Sequence, residues 1–239
     1  VVEQAYHTLP ALLSELEGGR RFGDVPGLVY KEGGRPVVTP HDLPIDFDLF
    51  PNPARHLLPN DRYAEFPTER RNFTVMVTSL GCPRRCLFCE AGGTRYAPRR
   101  PATVVAEMEE CYLRHGVREI DIFDYEFPCL RERTREICRL LKEKRMDLEW
   151  ACRSRVDSVD EPLLREMHAA GCRRIYYGLE SGAQEILDRV NKGITLAQVE
   201  ETVRLTREIG IRALGFFQIG APGETRETIR RTVRFAKRL

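Results

Sequence analysis

The chain has 239 residues, 42% of them hydrophobic and 31% charged, with a formal net charge of +2. That balance supplies one sizeable core plus an appendage, and its near-neutrality makes no case for a nucleic-acid or anionic-lipid partner. No apolar run approaches the roughly 20 residues of a membrane helix, and no charged-then-apolar leader points to secretion, so a cytoplasmic protein without a membrane span is expected. Of eight cysteines, three crowd into Cys82–Cys89, whereas Cys111, Cys129, Cys138, Cys152 and Cys172 are scattered through helix-like and strand-like segments. This distribution suits a metal-type cluster in a reducing compartment better than a disulfide framework.

Residues 1–72 differ in texture from the rest. Leu9, Leu12, Leu13 and Leu16 recur at helical spacing, and Gly18-Gly19 ends that helix. "GLVYKEGGRPVV" predicts a short hairpin turning at Gly33-Gly34. Pro36, Pro40, Pro44, Pro51, Pro53, Pro59 and Pro67 then exclude helix and central strand over 36–67, so an extended surface connector is expected.

From Phe73 the pattern becomes regular. "FTVMVTS", "EIDIFD" (119–124), "LEWACRS" (148–154), "RIYYGLE" (174–180) and "IRALGFFQIG" (211–220) predict five strands. Helical stripes lie between and after them. Leu163, Leu164, Met167 and Ala170 form one, opened by Asp160 with Pro162 in its first turn and closed by Gly171. Leu196, Val199 and Val203 form another, opened by the capping-box pair Thr195 and Gln198 and closed by Gly210; Ile229, Val233 and Ala236 form a third. Strand and helix in alternation imply an α/β fold with parallel strands and right-handed crossovers. The polar residues favour a barrel-like curve over an open doubly wound sheet. In such barrels the working residues sit just past the C-terminal strand ends. Here those ends carry Cys82, Cys86 and Cys89, then Asp124, then Arg153 and Arg155, then Glu180 and Ser181, then Gln218.

Three cysteines on one loop, with no fourth nearby and no histidine at zinc-finger spacing, do not complete a structural zinc site. A disulfide would leave one thiol over. An iron–sulfur cubane held by three thiolates leaves one iron open to a small molecule, and this is the preferred reading over zinc or incidental cysteines. Cys111, Cys138, Cys152 and Cys172 read as small buried hydrophobes, while Cys129 lies closer to the mouth. His7, His41, His56, His115 and His168 show no ligand spacing.

"TSLGCPRRCLFCEAGG", placing Cys82-x-x-x-Cys86-x-Phe88-Cys89 after the first strand of a β/α repeat, resembles the signature of the radical S-adenosylmethionine (radical SAM) superfamily. The resemblance implies a partial (β/α)6 TIM-like barrel over 73–239 and a [4Fe-4S] cluster on Cys82, Cys86 and Cys89. It also implies S-adenosyl-L-methionine on the open iron, cleaved reductively to a 5′-deoxyadenosyl radical. It places Phe88 beside the adenine. "IDIFDYEFP" resembles the second-strand segment of the cobalamin-linked branch, where a pair of acids is usual; Asp124 matches the first and would hold the cofactor's ammonium, while Tyr125 stands in place of the second. "RSRVDSVDEPLLREMHAAGC" resembles the third-strand region, with Arg155 as a carboxylate clamp or a packing arginine. "YYGLESGAQEILDRVNKGIT" resembles the fourth-strand motif, in which Glu180 and Ser181 would contact the ribose or amino-acid end of the cofactor. Glu180 could alternatively serve as an ion-pair partner inside the barrel. "GFFQIGAPGET" resembles the fifth-strand glycine motif, where Gly220 and Gly223 let the backbone approach the adenine.

Residues 1–72 resemble the junction between a cobalamin-binding domain and such a barrel, so cobalamin is expected only of a longer parent. After the fifth β/α unit the chain stops where a sixth strand is expected, and an uncovered edge on the fifth strand would leave the fragment marginal. The leading expectation is a radical SAM enzyme of the cobalamin-linked branch, performing methyl transfer or radical rearrangement. It would be served by a flavodoxin- or ferredoxin-type reductant and act on a small molecule or another unidentified substrate. A methylthiotransferase-like enzyme and a noncatalytic iron–sulfur or zinc module are the alternatives.

Overall fold

In the computed structural model the described residues are 5–40, 46–64, 66, 68–70 and 72–239. Pro44, Pro67 and His41 of the sequence reading lie outside them. The chain divides into two compact units, 1–45 and 46–239.

The first unit holds helix α1 (Thr8–Glu17) and an antiparallel hairpin, β1 (Val29–Glu32) with β2 (Arg35–Val38). Gly33 and Gly34 both take positive φ, as a tight two-residue hairpin turn requires. The buried Thr39 hydroxyl ties the base of the hairpin, donating to the Val25 carbonyl at 2.5 Å and accepting from the Leu28 amide at 2.8 Å.

The second unit begins with the rest of the proline-rich run. Over 46–64 it is punctuated by 3₁₀ turns at Phe47–Leu49, Arg55–Leu57 and Asn60–Arg62. Short turns of this kind tolerate proline where a longer helix would not. Residues 46–64 therefore belong to the unit that carries the main sheet. A buried triad fastens them there: Glu107 pairs with Arg55 at 2.7 Å and with Arg99 through its other oxygen.

The main elements follow in the expected alternation. Strand β3 (Phe73–Met76) leads to a small antiparallel pair, β4 (Ser79–Leu80) with β5 (Ala97–Pro98). Then come α2 (Pro101–His115), β6 (Glu119–Ile122), α3 (Arg131–Lys144), β7 (Glu149–Ser154), α4 (Glu161–Ala169) and β8 (Cys172–Glu180). The short helix α5 (Gln184–Arg189) precedes α6 (Leu196–Glu208), β9 (Arg212–Phe217) and α7 (Arg226–Arg238). Strands β3-β6-β7-β8-β9 form one five-stranded parallel sheet in chain order, which is the partial barrel expected of these repeats.

Strand alternation sorts the two faces. Ile120, Ile122, Trp150, Cys152, Ile175, Tyr177 and Leu179 join the core with Met108, Ile137, Leu163, Met167 and Val199 of the covering helices. The opposite face carries Asp121, Arg153 and Tyr176, with the Arg153 guanidinium 3.4 Å from the centre of the Phe123 ring. Local signals seat the helices as read. Asp160 caps α4, and Thr195 and Gln198 form a complete capping box on α6. Cys111, Cys138, Cys152 and Cys172 are buried, and burial raises the Cys111 and Cys138 thiols to about 11 and about 12. All eight cysteines are free thiols. No described helix is long and apolar enough to cross a membrane.

Candidate functional site

The cysteine loop leaves the C-terminal end of β3 through the short strand β4. Gly81 permits the departure: its φ is +69°, and a Cβ there would lie 2.1 Å from the Arg95 carbonyl oxygen. Successive turns then fold the loop on itself. The Cys89 amide donates to the Cys86 carbonyl at 3.2 Å, the Gly92 amide to the Cys89 carbonyl at 3.0 Å, and Cys82 forms a bridge with Gly92. A side chain at Gly92 would approach the Cys86 carbonyl oxygen to 2.9 Å, so the loop closes only around a glycine. It is also tied to the turn after α5: the Leu87 amide donates to the Val190 carbonyl at 3.0 Å, and Asn191 Nδ2 to the Arg85 carbonyl at 2.8 Å.

Cys82 is buried, and Cys86 and Cys89 are half-buried. The Cys82 and Cys86 thiols face groups of opposite charge. Cys82 Sγ lies 3.9 Å from Glu126 Oε2, and burial, with that acid behind it, pushes the Cys82 thiol up. Glu126 is itself buried; it receives two bonds from Arg84 and one from the Ser158 hydroxyl. Arg155 Nη1 lies 3.5 Å from Cys86 Sγ. Among the described residues, no three His, Cys, Asp or Glu side chains gather closely enough to hold a single metal ion.

A second cluster of contacts joins the loop to the end of β8. Glu180 adopts a φ of +59°, an uncommon conformation for a side-chain-bearing residue, and accepts a bond from Lys192 Nζ at 2.8 Å. The ammonium of Lys192 stands 5.6 Å from the centre of the Phe88 ring, while its backbone carbonyl accepts from Arg155 Nη2 at 2.5 Å. Gly178 makes room, since a Cβ there would meet Glu180 Oε1 at 2.5 Å and Lys192 Nζ at 2.8 Å. Phe88, Arg155 and Glu180 thus meet at Lys192, and Arg155 carries the link on to Cys86.

The other residues singled out in the sequence point elsewhere. Asp124 is buried beneath the loop. Oδ1 accepts from the Thr78 and Ser79 amides at 2.6 and 3.0 Å, and Oδ2 from the Thr78 and Ser79 hydroxyls at 2.5 and 2.7 Å. Four donors fill the acceptor sites of a carboxylate, so Asp124 as placed has none left for a ligand's ammonium; it clasps the β3–β4 junction instead. Burial nonetheless raises its carboxyl above the ordinary range. Ser181 turns toward the last helix, with Oγ 3.1 Å from the Thr232 hydroxyl and accepting from the Ala183 amide at 3.2 Å. Gly220 lies in an exposed turn after β9, with φ +101° and its amide bonded to the Glu224 carboxylate. Cys129 is half-buried, and burial with the nearby Glu126 raises its thiol to about 11.

Glu126, Arg84, Asp157 and Lys192 belong to this constellation but were absent from the sequence reading. Only Glu126 had an accessible signal: it lies two residues beyond Asp124, within a segment where a second acid is expected.

The family model of the radical SAM superfamily matches residues 76–236, which include the cysteine loop, strands β6 to β9 and the linking turn. The chain belongs to the radical SAM superfamily. Over 236 residues this radical SAM chain is 34% identical to an uncharacterized methyltransferase of Pyrococcus horikoshii, covering 97% of the chain and 51% of that protein. It is 31% identical over 235 residues to the anaerobic magnesium-protoporphyrin IX monomethyl ester cyclase of Rubrivivax gelatinosus, covering 95% and 42%. The chain therefore spans about half the length of the curated relatives it matches. Among solved structures it resembles the radical SAM methyltransferase TsrM of Kitasatospora setae, bound to tryptophan and a SAM analogue, with TM-score 0.78 and 25% identity, covering 100% of this chain and 48% of TsrM. TsrM has also been solved with cobalamin and a [4Fe-4S] cluster.

Proposed function

We propose that this chain is the catalytic barrel of a cobalamin-linked radical SAM enzyme, most akin in function to the methyltransferases, with residues 1–72 as the connector toward a cobalamin-binding domain. The observation that carries this reading is the Cys82–Cys89 loop at the strand mouth, joined through Lys192 to Phe88 and Glu180. A cubane seats each thiolate on a different iron, so its cysteines stand farther apart than the ligands of one ion. Three cysteines on one loop, one short of the four ligands that close a structural zinc site, fit a cubane with one iron left open better than they fit tetrahedral zinc. Cys82, Cys86 and Cys89 would hold the cluster and leave one iron for S-adenosyl-L-methionine.

When bound and reduced, the cluster would supply the electron that cleaves a carbon–sulfur bond of the sulfonium, giving methionine and a 5′-deoxyadenosyl radical. The chain's own residues would bind and orient. Phe88 offers a ring face to the adenine, and Glu180, held by Lys192, offers an acceptor to hydroxyl or ammonium donors of the cofactor. The reductant would be a small flavodoxin- or ferredoxin-type carrier.

The test is electron paramagnetic resonance on anaerobically reconstituted, dithionite-reduced protein, with and without S-adenosyl-L-methionine. A cubane signal that changes on adding the cofactor is the expected result. Zinc in place of iron and sulfide, or a cubane signal indifferent to the cofactor, would overturn the proposal.

A further inference from the structure

We propose that Arg155 is a positioning residue that fixes a cationic donor on the Cys86 sulfur and thereby raises the reduction potential of the cluster. The inference rests on the reading that Cys82, Cys86 and Cys89 hold that cluster.

Arg155 follows β7 directly and is only 8% exposed. Its guanidinium is held on two sides. Nε donates to Asp157 Oδ1 at 2.8 Å and Nη2 to Asp157 Oδ2 at 2.9 Å, a fork-on-carboxylate arrangement, while Nη2 also donates to the Lys192 carbonyl at 2.5 Å. Because the guanidinium is planar and rigid, fixing those two nitrogens fixes the third. Nη1 is thereby aimed at Cys86 Sγ, 3.5 Å away. Four of the five N–H donors are engaged in these contacts, which argues against Arg155 as a two-pronged clamp for the cofactor's carboxylate.

The charge pattern around the loop is asymmetric. Asp157 lies behind the guanidinium, so the face turned to Cys86 is the donating one. At Cys82 the nearest charged group is the acid Glu126, 3.9 Å from Sγ and countered by Arg84. A donor to a ligating sulfur stabilises the cluster more after it has gained an electron than before, because reduction adds negative charge to the sulfurs. The bond from Arg155 therefore acts in the direction of easier reduction. It also makes the Lys192 carbonyl part of the same construction, so the potential at Cys86 and the seating of the Lys192–Glu180 pair share one anchor.

The experiment is a redox titration followed by electron paramagnetic resonance, with iron and sulfide assays, on anaerobically reconstituted wild-type protein and the variants R155M, R155K and D157E. R155M keeps the bulk of the side chain and removes its donors. It is expected to retain the cluster with a one-electron reduction equilibrium about tenfold less favourable, a midpoint about 59 mV more negative. R155K, with the charge but not the fork, should recover part of that shift. D157E, which keeps the negative charge but lengthens the arm that aims the guanidinium, should move the midpoint the same way by less. A full cluster in R155M at the wild-type midpoint overturns the inference. So does a lower iron content or melting temperature with the midpoint unmoved, since that is what a purely structural arginine would give. Should R155M fail to fold, wild-type midpoints in both R155K and D157E overturn it equally. A wild-type protein that takes up no cluster fails earlier, at the assignment of the three cysteines.

Discussion

Arg84 and Glu126 form a two-point ion pair behind the cysteine loop, with Arg84 Nε and Nη2 each 3.0 Å from one of the Glu126 carboxylate oxygens. Glu126 is 1% exposed and Arg84 37%. Removing the arginine leaves a buried carboxylate with the Ser158 hydroxyl and the Cys82 thiol as its side-chain neighbours, although water entering from the Arg84 side recovers part of the loss. Arg84→Ala is expected to cost about 1–3 kcal/mol, the range for a buried polar group left short of its partner. Because Arg84 sits between Cys82 and Cys86, the metal-free loop should also loosen. Chemical denaturation and the alkylation rates of Cys86 and Cys89 check both effects; Arg84→Lys should rescue only part, lacking the second prong.

Gly81 controls how the loop leaves β4. A Cβ at this position would lie within 2.1 Å of the Arg95 carbonyl oxygen, at a φ that side-chain-bearing residues rarely adopt. Gly81→Ala must shift backbone, and left-handed strain of this kind costs about 1–3 kcal/mol before the clash is counted. The expected outcome is a folded barrel with iron uptake well below that of the wild-type protein, measured by iron assay beside far-ultraviolet circular dichroism.

Lys192 and Glu180 are both largely buried and pair at 2.8 Å. On the proposed function, Glu180 presents its carboxylate to the cofactor only while Lys192 holds it. Lys192→Met removes the partner and leaves Glu180 to take up a proton or turn away. Affinity for S-adenosyl-L-methionine is expected to fall about tenfold, the size of one lost charged hydrogen bond, with iron content unchanged. Equilibrium binding on the reconstituted variant decides it, and undiminished affinity would remove Lys192 from the cofactor mouth.

The Arg55–Glu107–Arg99 triad makes a separate claim about stability. All three side chains are at most 5% exposed. Truncating Glu107 leaves two guanidinium groups buried beside one another, the situation in which breaking an ion pair costs about 3–5 kcal/mol. For a unit of this size Glu107→Ala should lower the melting temperature by on the order of 10 °C. Residues around Arg55 should come away first, which hydrogen exchange at the Arg55–Arg62 amides would reveal.

The features legible in the sequence were local ones. The strand runs, the glycines at helix ends, the Asp160 cap and the Thr195–Gln198 capping box each act over a few residues, so pattern alone locates them. The partners of the cysteine loop were not legible. Glu126 meets Arg84 across 42 positions and Lys192 meets Arg155 across 37, distances that no periodicity records. Asp124 shows a different gap: the sequence supplies an acid at a strand end, but only the packed β3–β4 junction decides that its oxygens turn to Thr78 and Ser79. The proline-rich run concealed its 3₁₀ turns for a related reason, since what holds them is the buried triad rather than their own propensity.

Asp160 gives a pH prediction whose sign can be worked through. Its carboxylate caps α4 by accepting from the Leu163 amide at 3.0 Å, and it pairs with Arg131 at 2.8 Å. The Arg131 bond, opposed by some burial and assisted by the Leu163 amide, lowers its pKa below the ordinary 3.8. An acid whose pKa is lower folded than unfolded adds stability that is fully present above the unfolded value and is lost as pH falls through the folded one. Asp160→Asn keeps an amide oxygen for the cap and removes the titrating charge, whereas Asp160→Ala removes both and should cost about 1 kcal/mol near neutrality. The gap in stability between the wild-type protein and D160N should therefore be constant above about pH 5 and close progressively below the ordinary carboxylate value. Denaturant unfolding of both proteins across that range measures it; a gap that widens on acidification would mean that Arg131 does not hold the cap in solution.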